Sequence, residues 1–249
     1  MNLLQEALRY LNDPFNWTRT NGILELLAQH LRISALAVLA AMLIGIPVGA
    51  LLGHLGRGGG FAVGLSNVSR AVPTLALLTL FAVTPIGFGP NATTIALALF
   101  AVPPVLTNTY VGFRGVDRDV VEASRAMGMS GRQVLLRAEL PLAVPLLMTG
   151  VRTAAVQVVA TATLAALVAG GGLGRIITLG FRQQDYGAVL AGALIVAALA
   201  VLTEVLLAAA AWALTPGQKQ LPFRRPGHTP VEEETGAGPA AEARTGARG

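Results

Sequence analysis

The side chains able to make or break covalent bonds are few and far apart. Cysteine is absent, which removes thiol nucleophiles, disulfides and thiolate metal sites. His30, His54 and His228 are scattered and show no ligand spacing, so no metal site is expected. Gly170-Gly-Gly-Leu-Gly174 lacks the Gly-Lys-Ser/Thr of a phosphate-binding loop and reads as a turn. Paired acids are also missing from the apolar stretches. What remains is the chemistry of charges and hydrogen-bonding groups inside apolar runs. Arg152 and Glu204 are the charges set deepest in such runs. Ser66, Asn67, Arg70, Thr74, Asn108, Thr109, Gln157, Thr161 and Thr163 could line a polar path. Taken singly, each of them fits hydrogen-bonding glue between helices better than a path contact.

The elements that must carry these residues are written in the composition. The chain has 249 residues, 53% hydrophobic and 12% charged, against about 25% charged in soluble domains. Its apolar runs are long enough to span a bilayer. Five membrane-spanning segments are expected, at about 33–52, 61–83, 92–110, 143–169 and 188–214. Gly45, Gly49 and Gly53 recur every four residues, a smooth face suited to close helix packing or simply glycines that a membrane helix tolerates. The second span is semi-polar in its first half, and Pro73 should kink it or start its deeper half. Residues 1–32 read as an interfacial segment: a surface helix near Leu3–Leu11, a break at Asp13-Pro14, and a second amphipathic piece at Ile23–Leu31. No removable signal peptide is apparent in it. Residues 175–187 read as a short amphipathic connector, and 215–249 as a disordered tail too poor in aliphatic residues to fold.

All but one of the basic residues are arginine, spread along the chain and mostly at the edges of apolar runs. That is how membrane topology is encoded, and it argues against a nucleic-acid partner. Arg57, Arg70, Arg114, Arg118, Arg125, Arg132, Arg137, Lys219, Arg224 and Arg225 fall on one side; Arg9, Arg19, Arg32, Arg175 and Arg182 fall on the other. The richer side is expected to be cytoplasmic, with the N-terminus outside and the tail inside. Arg152 and Glu204 then lie on the order of 12–15 Å inside the cytoplasmic ends of their spans. An unpaired charge there is costly, so the two are expected to form an ion pair, or Arg152 to snorkel.

One polar interval stands between apolar blocks, Glu122–Pro141, EASRAMGMSGRQVLLRAELP. It reads as an amphipathic helix, a glycine break at Gly128, more helix, and a stop at Leu140-Pro141 where a new apolar run begins. Lipid cannot accept its ionic side chains, so it must meet water or another protein. Glu122-Ala123-Ser124, three residues, Gly128, nine residues, Ala138, one residue, Leu140-Pro141 matches the pattern E-A-A-x3-G-x9-I-x-L-P. Ser124 replaces the second Ala, and Ala138 the Ile. This pattern resembles the cytoplasmic coupling loop, here 114–141, of the permease subunits of bacterial ABC importers. The resemblance implies an all-α membrane protein with the type I ABC importer permease fold, about five transmembrane helices and a cytoplasmic coupling helix. It makes Glu122, Ala123, Ser124, Gly128, Leu140 and Pro141 the residues that couple to an ATPase.

A narrower resemblance covers most of residues 20–214. AVPTLALLTLF (71–81), VPPVLTNTYVGFRGVD (102–117), RAMGMS (125–130) and TAAVQVVATATLAALVAGGGLG (153–174) are similar to permeases of the glycine betaine/carnitine/choline (osmoprotectant) importers. This implies a multi-pass protein of the bacterial plasma or inner membrane, without enzymatic activity or cofactor of its own. The implied partners are cytoplasmic ABC ATPase subunits that bind the ATP, a second permease (a copy of this chain or a paralogue) and an extracytoplasmic substrate-binding protein. Trp17 and Trp212 lie at opposite expected faces and cannot form one aromatic cage for a quaternary ammonium ion, so selectivity is expected to reside in the binding protein. Two alternatives stay open: an amino-acid importer such as one for methionine, and an ion-coupled secondary transporter. The latter needs a buried acidic ion site, for which Glu204 is the sole candidate.

Overall fold

The computed structural model describes residues 2–215, and the expected tail lies outside the described residues except for Thr215. All regular structure among the described residues is helical. Two short helices, α1 (Leu3–Asn12) and α2 (Pro14–Thr18), precede a long one, α3 (Ile23–Leu55). Then come α4 (Gly59–Ala71), α5 (Thr74–Ala82), α6 (Pro90–Arg114), α7 (Arg118–Ala126), α8 (Gly131–Val134), α9 (Leu140–Thr161), α10 (Gly174–Gln183) and α11 (Tyr186–Leu214). A π-helical turn, Leu135–Glu139, joins α8 to α9, and a 3-10 stretch, Ala162–Val168, extends α9.

Four helical stretches are long and apolar enough to cross a membrane: Pro14–Leu55, Pro90–Arg114, Gly131–Val168 and Tyr186–Leu214. The segment expected as a span at 61–83 is two helices. Pro73 has no N–H and crowds the carbonyl four residues back, and Val72 before it is biased away from helix. So α4 ends at Ala71, and Pro73 is extended (φ −63°, ψ 124°) at the start of α5. Near the N-terminus the opposite correction applies. Ile23–Leu31 is no separate piece but the first turns of α3, because nothing between Ile23 and Arg32 interrupts the helix. At 33 residues, α3 is about 50 Å long, well beyond a hydrocarbon core of about 30 Å.

The bundle centre is made of small and aliphatic side chains of α3, α6 and α9, among them Ala37, Ala41, Leu97, Ala101, Val105, Ala154 and Val158. The outer face of α3 presents Leu36, Leu39 and Leu43, the last 77% exposed, as suits a lipid-facing surface. Gly45, Gly49 and Gly53 form the closest seam. A Cβ on Gly49 would sit 2.6 Å from the Leu106 carbonyl oxygen, and one on Gly53 2.6 Å from the Phe113 Cβ. These glycines therefore let the two backbones approach. The register rises together along both helices, Gly45 against Val105 and Gly53 against Phe113, so α3 and α6 are parallel. The chain between them, α4 and α5, must return from one end of the bundle to the other. By contrast, α9 runs antiparallel to α6, with Ala143 beside Gly112 and Gly150 beside Asn108 and Pro104.

At the end of the bundle where α3 begins, α1 packs its Glu6 against Gly187 of α11. Ile23, Leu26, Leu173, Ile176 and Ala188 form a second core there, flanked by Tyr10 and Trp17. The Trp17 indole N–H donates to the Leu11 carbonyl at 2.7 Å. The N-terminal helices are thus docked on the bundle. The last turns of the expected span 143–169 are not α-helix. The backbone tightens to 3-10 at Ala162 and closes with Ala169 in the left-handed region (φ +56°) before the glycine turn. The expected connector at 175–187 forms α10, which packs on α11 through Ile176 and Ile177 against Gly192.

Candidate functional site

The polar interval folds as a helix, a turn and a helix at the end of the bundle where α3 and α6 finish. Asp117 caps α7 by accepting the Asp119 N–H at 2.9 Å, which satisfies one orphan donor of the first turn. Along α7 the sequence alternates inward and outward residues. Val121 and Ser124 are buried, whereas Glu122, Ala123, Arg125 and Ala126 face out. Ser124, in the place of a second alanine, uses its hydroxyl to donate to the Val120 carbonyl at 2.7 Å, so its polarity is spent within the helix. Gly128 then takes φ +83°, a left-handed conformation that costs a residue with a Cβ about 1 kcal/mol or more. No atom would meet a Cβ there within 4 Å, so the backbone demands glycine and the space around it is open. Ser130 caps α8, its N–H donating to Gln133 Oε1 at 2.8 Å. Val116, Val121, Val134 and Met129 hold the loop together as a small core of its own. Its outer surface carries Glu122, Ala123 and Met127, the last 73% exposed.

The expected stop at Leu140-Pro141 does not occur. The helical backbone runs through from Gly131 to Val168. The reason is the π-helical turn: the Leu140 N–H reaches back five residues to the Leu135 carbonyl, which widens the helix just where Pro141 would crowd it. Pro141 falls in the first turn of α9, where a missing N–H is tolerated. The second helix of the loop, the π turn and α9 are consequently one continuous helical stretch.

The structure also joins residues that the sequence left apart. His54, in the last turn of α3, has Nδ1 at 2.5 Å from Glu139 Oε2 in the π turn, with the carboxylate accepting. Glu139 is 4% exposed. No sequence motif links positions separated by 85 residues; the only visible signal was an acid placed between Ala138 and Leu140 at the brink of an apolar run. His30 is fully buried, and its Nε2–H donates to the Val159 carbonyl at 2.9 Å, tying α3 to α9 just before the 3-10 stretch.

The candidates for a polar path do not form one group. Gln157 is exposed on α9 and Thr161 and Thr163 are half-buried near its end, their hydroxyls donating to the carbonyls of Gln157 and Ala160. Thr149 and Thr153, not among the candidates, continue the Gln157 face at four-residue spacing, and both are exposed. A membrane helix that exposes such a stripe must face water or protein. Asn108 is half-buried and donates to the Pro104 carbonyl at 2.8 Å, beside Gly150. Thr109 is fully buried between α3 and α6 against Gly49, so it packs that seam and lines no path in the single chain. Asn67 is exposed on α4 and Thr74 is half-buried at the start of α5, while the side chains of Ser66 and Arg70 lie outside the described residues. Arg152 Nε lies 3.1 Å from Glu204 Oε1, linking α9 to α11.

With this geometry in hand, the chain can be set beside known proteins. Residues 33–211 match the family described as binding-protein-dependent transport system inner membrane component. The glycine betaine/carnitine/choline transport system permease protein OpuCB of Bacillus subtilis is 33% identical over 208 residues, covering 83% of this chain and 95% of that one. The carnitine transport permease protein OpuCB of Listeria monocytogenes is 38% identical over 188 residues, covering 76% and 86%. Among solved structures, the MetNI methionine ABC transporter in an inward-facing conformation superposes with a TM-score of 0.68 at 21% identity, covering 82% of this chain and 99% of that one. That likeness establishes the fold, the type I ABC importer permease. The chain belongs to the family of inner membrane permease components of binding-protein-dependent ABC importers and is a transport component rather than an enzyme.

Proposed function

We infer that this protein is the permease of an ATP-driven importer for small quaternary ammonium osmoprotectants of the glycine betaine, choline and carnitine type. The observation that carries the reading is the Glu122–Pro141 unit, whose motif residues sit on a self-contained helix–turn–helix continuous with α9. The names of the relatives support the substrate class. In this reading the chain crosses the membrane five times, with α4 and α5 together making the second crossing. The coupling loop lies in the cytoplasm and α1 outside. The exposed ridge of Glu122, Ala123 and Met127 seats in a groove of an ABC ATPase, and Gly128, Leu140 and Pro141 set the angle at which the stroke enters α9. The translocation path forms where the Thr149, Thr153 and Gln157 face meets a second permease, a copy or a paralogue. Asn67, Thr74, Asn108, Thr161 and Thr163 contribute toward it. An extracytoplasmic binding protein delivers the substrate.

The test is reconstitution in liposomes with the partner ATPase and binding protein, followed by ATP hydrolysis and uptake. Glycine betaine, choline or carnitine should stimulate both, and methionine neither; stimulation by methionine alone would reassign the substrate. Gly128→Trp should keep hydrolysis but lower substrate moved per ATP at least tenfold. Unaltered coupling in that variant would count against the assigned role of the loop.

A further inference from the structure

Glu139 poses a problem that the coupling loop alone does not solve. It is a carboxylate with 4% exposure in a segment whose neighbours Leu136 and Arg137 face out. Burying such a group is unfavourable unless it is paired. The π turn is what rotates it inward, since its i→i+5 bonding inserts an extra residue and shifts the face presented by each side chain. What it finds there is His54 at 2.5 Å, in the last turn of α3. The imidazole edge sits where the carbonyl end of α3 favours a donor or a cation, and the Arg114 guanidinium lies against Gly56 at the same helix end.

A π turn is a break in the regular hydrogen-bond ladder, and as such a point of compliance. It lies between the docking helices and α9, on the only covalent route from the loop into that helix. The α3–α6 pair, whose backbones meet closely along the glycine seam, stands beside it. We propose that the His54–Glu139 pair is a clasp that stiffens this joint, so that motion of the coupling loop drives α9 against a fixed α3–α6 unit and is not absorbed in the π turn. His54 and Glu139 are then positioning residues for coupling. The proposal rests on the coupling role assigned to the loop and adds to it a contact from outside the loop.

The absence of cysteine makes the test clean. H54C/E139C should still copurify with the ATPase and hydrolyse ATP, but should move several-fold less substrate per ATP in liposomes. Bridging the two cysteines with a short, reducible bis-methanethiosulfonate should restore the ratio, and reductant should abolish it again. E139Q, which keeps an acceptor for the imidazole, should stay within about twofold of the native ratio, whereas E139A should fall with the double variant. Native coupling in the unbridged double variant or in E139A would overturn the clasp, as would no recovery on bridging. G128W separates the two claims. If it uncouples while E139A does not, the loop reading stands and the clasp falls; if G128W also couples normally, the loop reading itself has failed.

Discussion

Arg152 and Glu204 show what a single pair of charges does in an apolar bundle. The two side chains are 37% and 44% exposed in the isolated chain and meet at 3.1 Å. A lone charge at a helix centre costs about 2.5 kcal/mol or more on insertion scales, and partial access to solvent lowers the value of the pair. Removing one partner is worse than removing both, because it strands the other. Arg152→Met should therefore lower the yield of monodisperse protein and its melting temperature in detergent. Arg152→Met with Glu204→Gln should recover most of the loss. If the single variant matches the native protein, or the double is no better than the single, the pair does not hold α9 to α11. This partnership was legible in the sequence, since both residues stood alone in long apolar runs. His54 and Glu139 were not, because each sits at the edge of a run, where a polar side chain needs no explanation.

At the scale of elements, the α3–α6 seam governs packing. Overfilling such a contact forces backbone shifts that cost about 1–3 kcal/mol. Gly49→Leu would drive a side chain into the Leu106 carbonyl, 2.6 Å from the first added carbon. It should lower the melting temperature by several degrees. Gly60→Leu, at a position with nothing within 4 Å, should leave it unchanged. Equal effects of the two would mean that the seam is not what holds these helices together. The glycine spacing was readable, but whether it packed or was merely tolerated was not, since nothing local says which helix comes alongside. The same limit applies at both ends of the Gly131–Val168 rod. Pro141 reads as a stop by its own chemistry, and only the widened turn before it lets the helix continue. The 3-10 stretch at Ala162 is equally silent in a run of Ala, Thr and Leu that would suit an α-helix.

For the whole molecule, direction is the decisive quantity. The parallel α3 and α6 require the chain to come back across the bundle between them. Only α4 and α5, of 13 and 9 residues, are available. Each is shorter than the ~20 residues of a single span, and together they are sufficient. The proposed five crossings would put Thr20 and Phe88 on one side, and Arg57 and Ala126 on the other, with the arginine-rich side expected in the cytoplasm. All four positions are exposed, and the chain has no cysteine to confuse a label. In intact cells a membrane-impermeant maleimide should label Thr20→Cys and Phe88→Cys. Arg57→Cys and Ala126→Cys should react only after permeabilisation. Labelling of Ala126→Cys from outside would invert the orientation and remove the coupling loop from any cytoplasmic ATPase. Like behaviour of Arg57→Cys and Phe88→Cys would mean that the α4–α5 pair does not cross. The parallel seam could not then be kept, because α3 and α6 would have to enter the membrane from opposite sides.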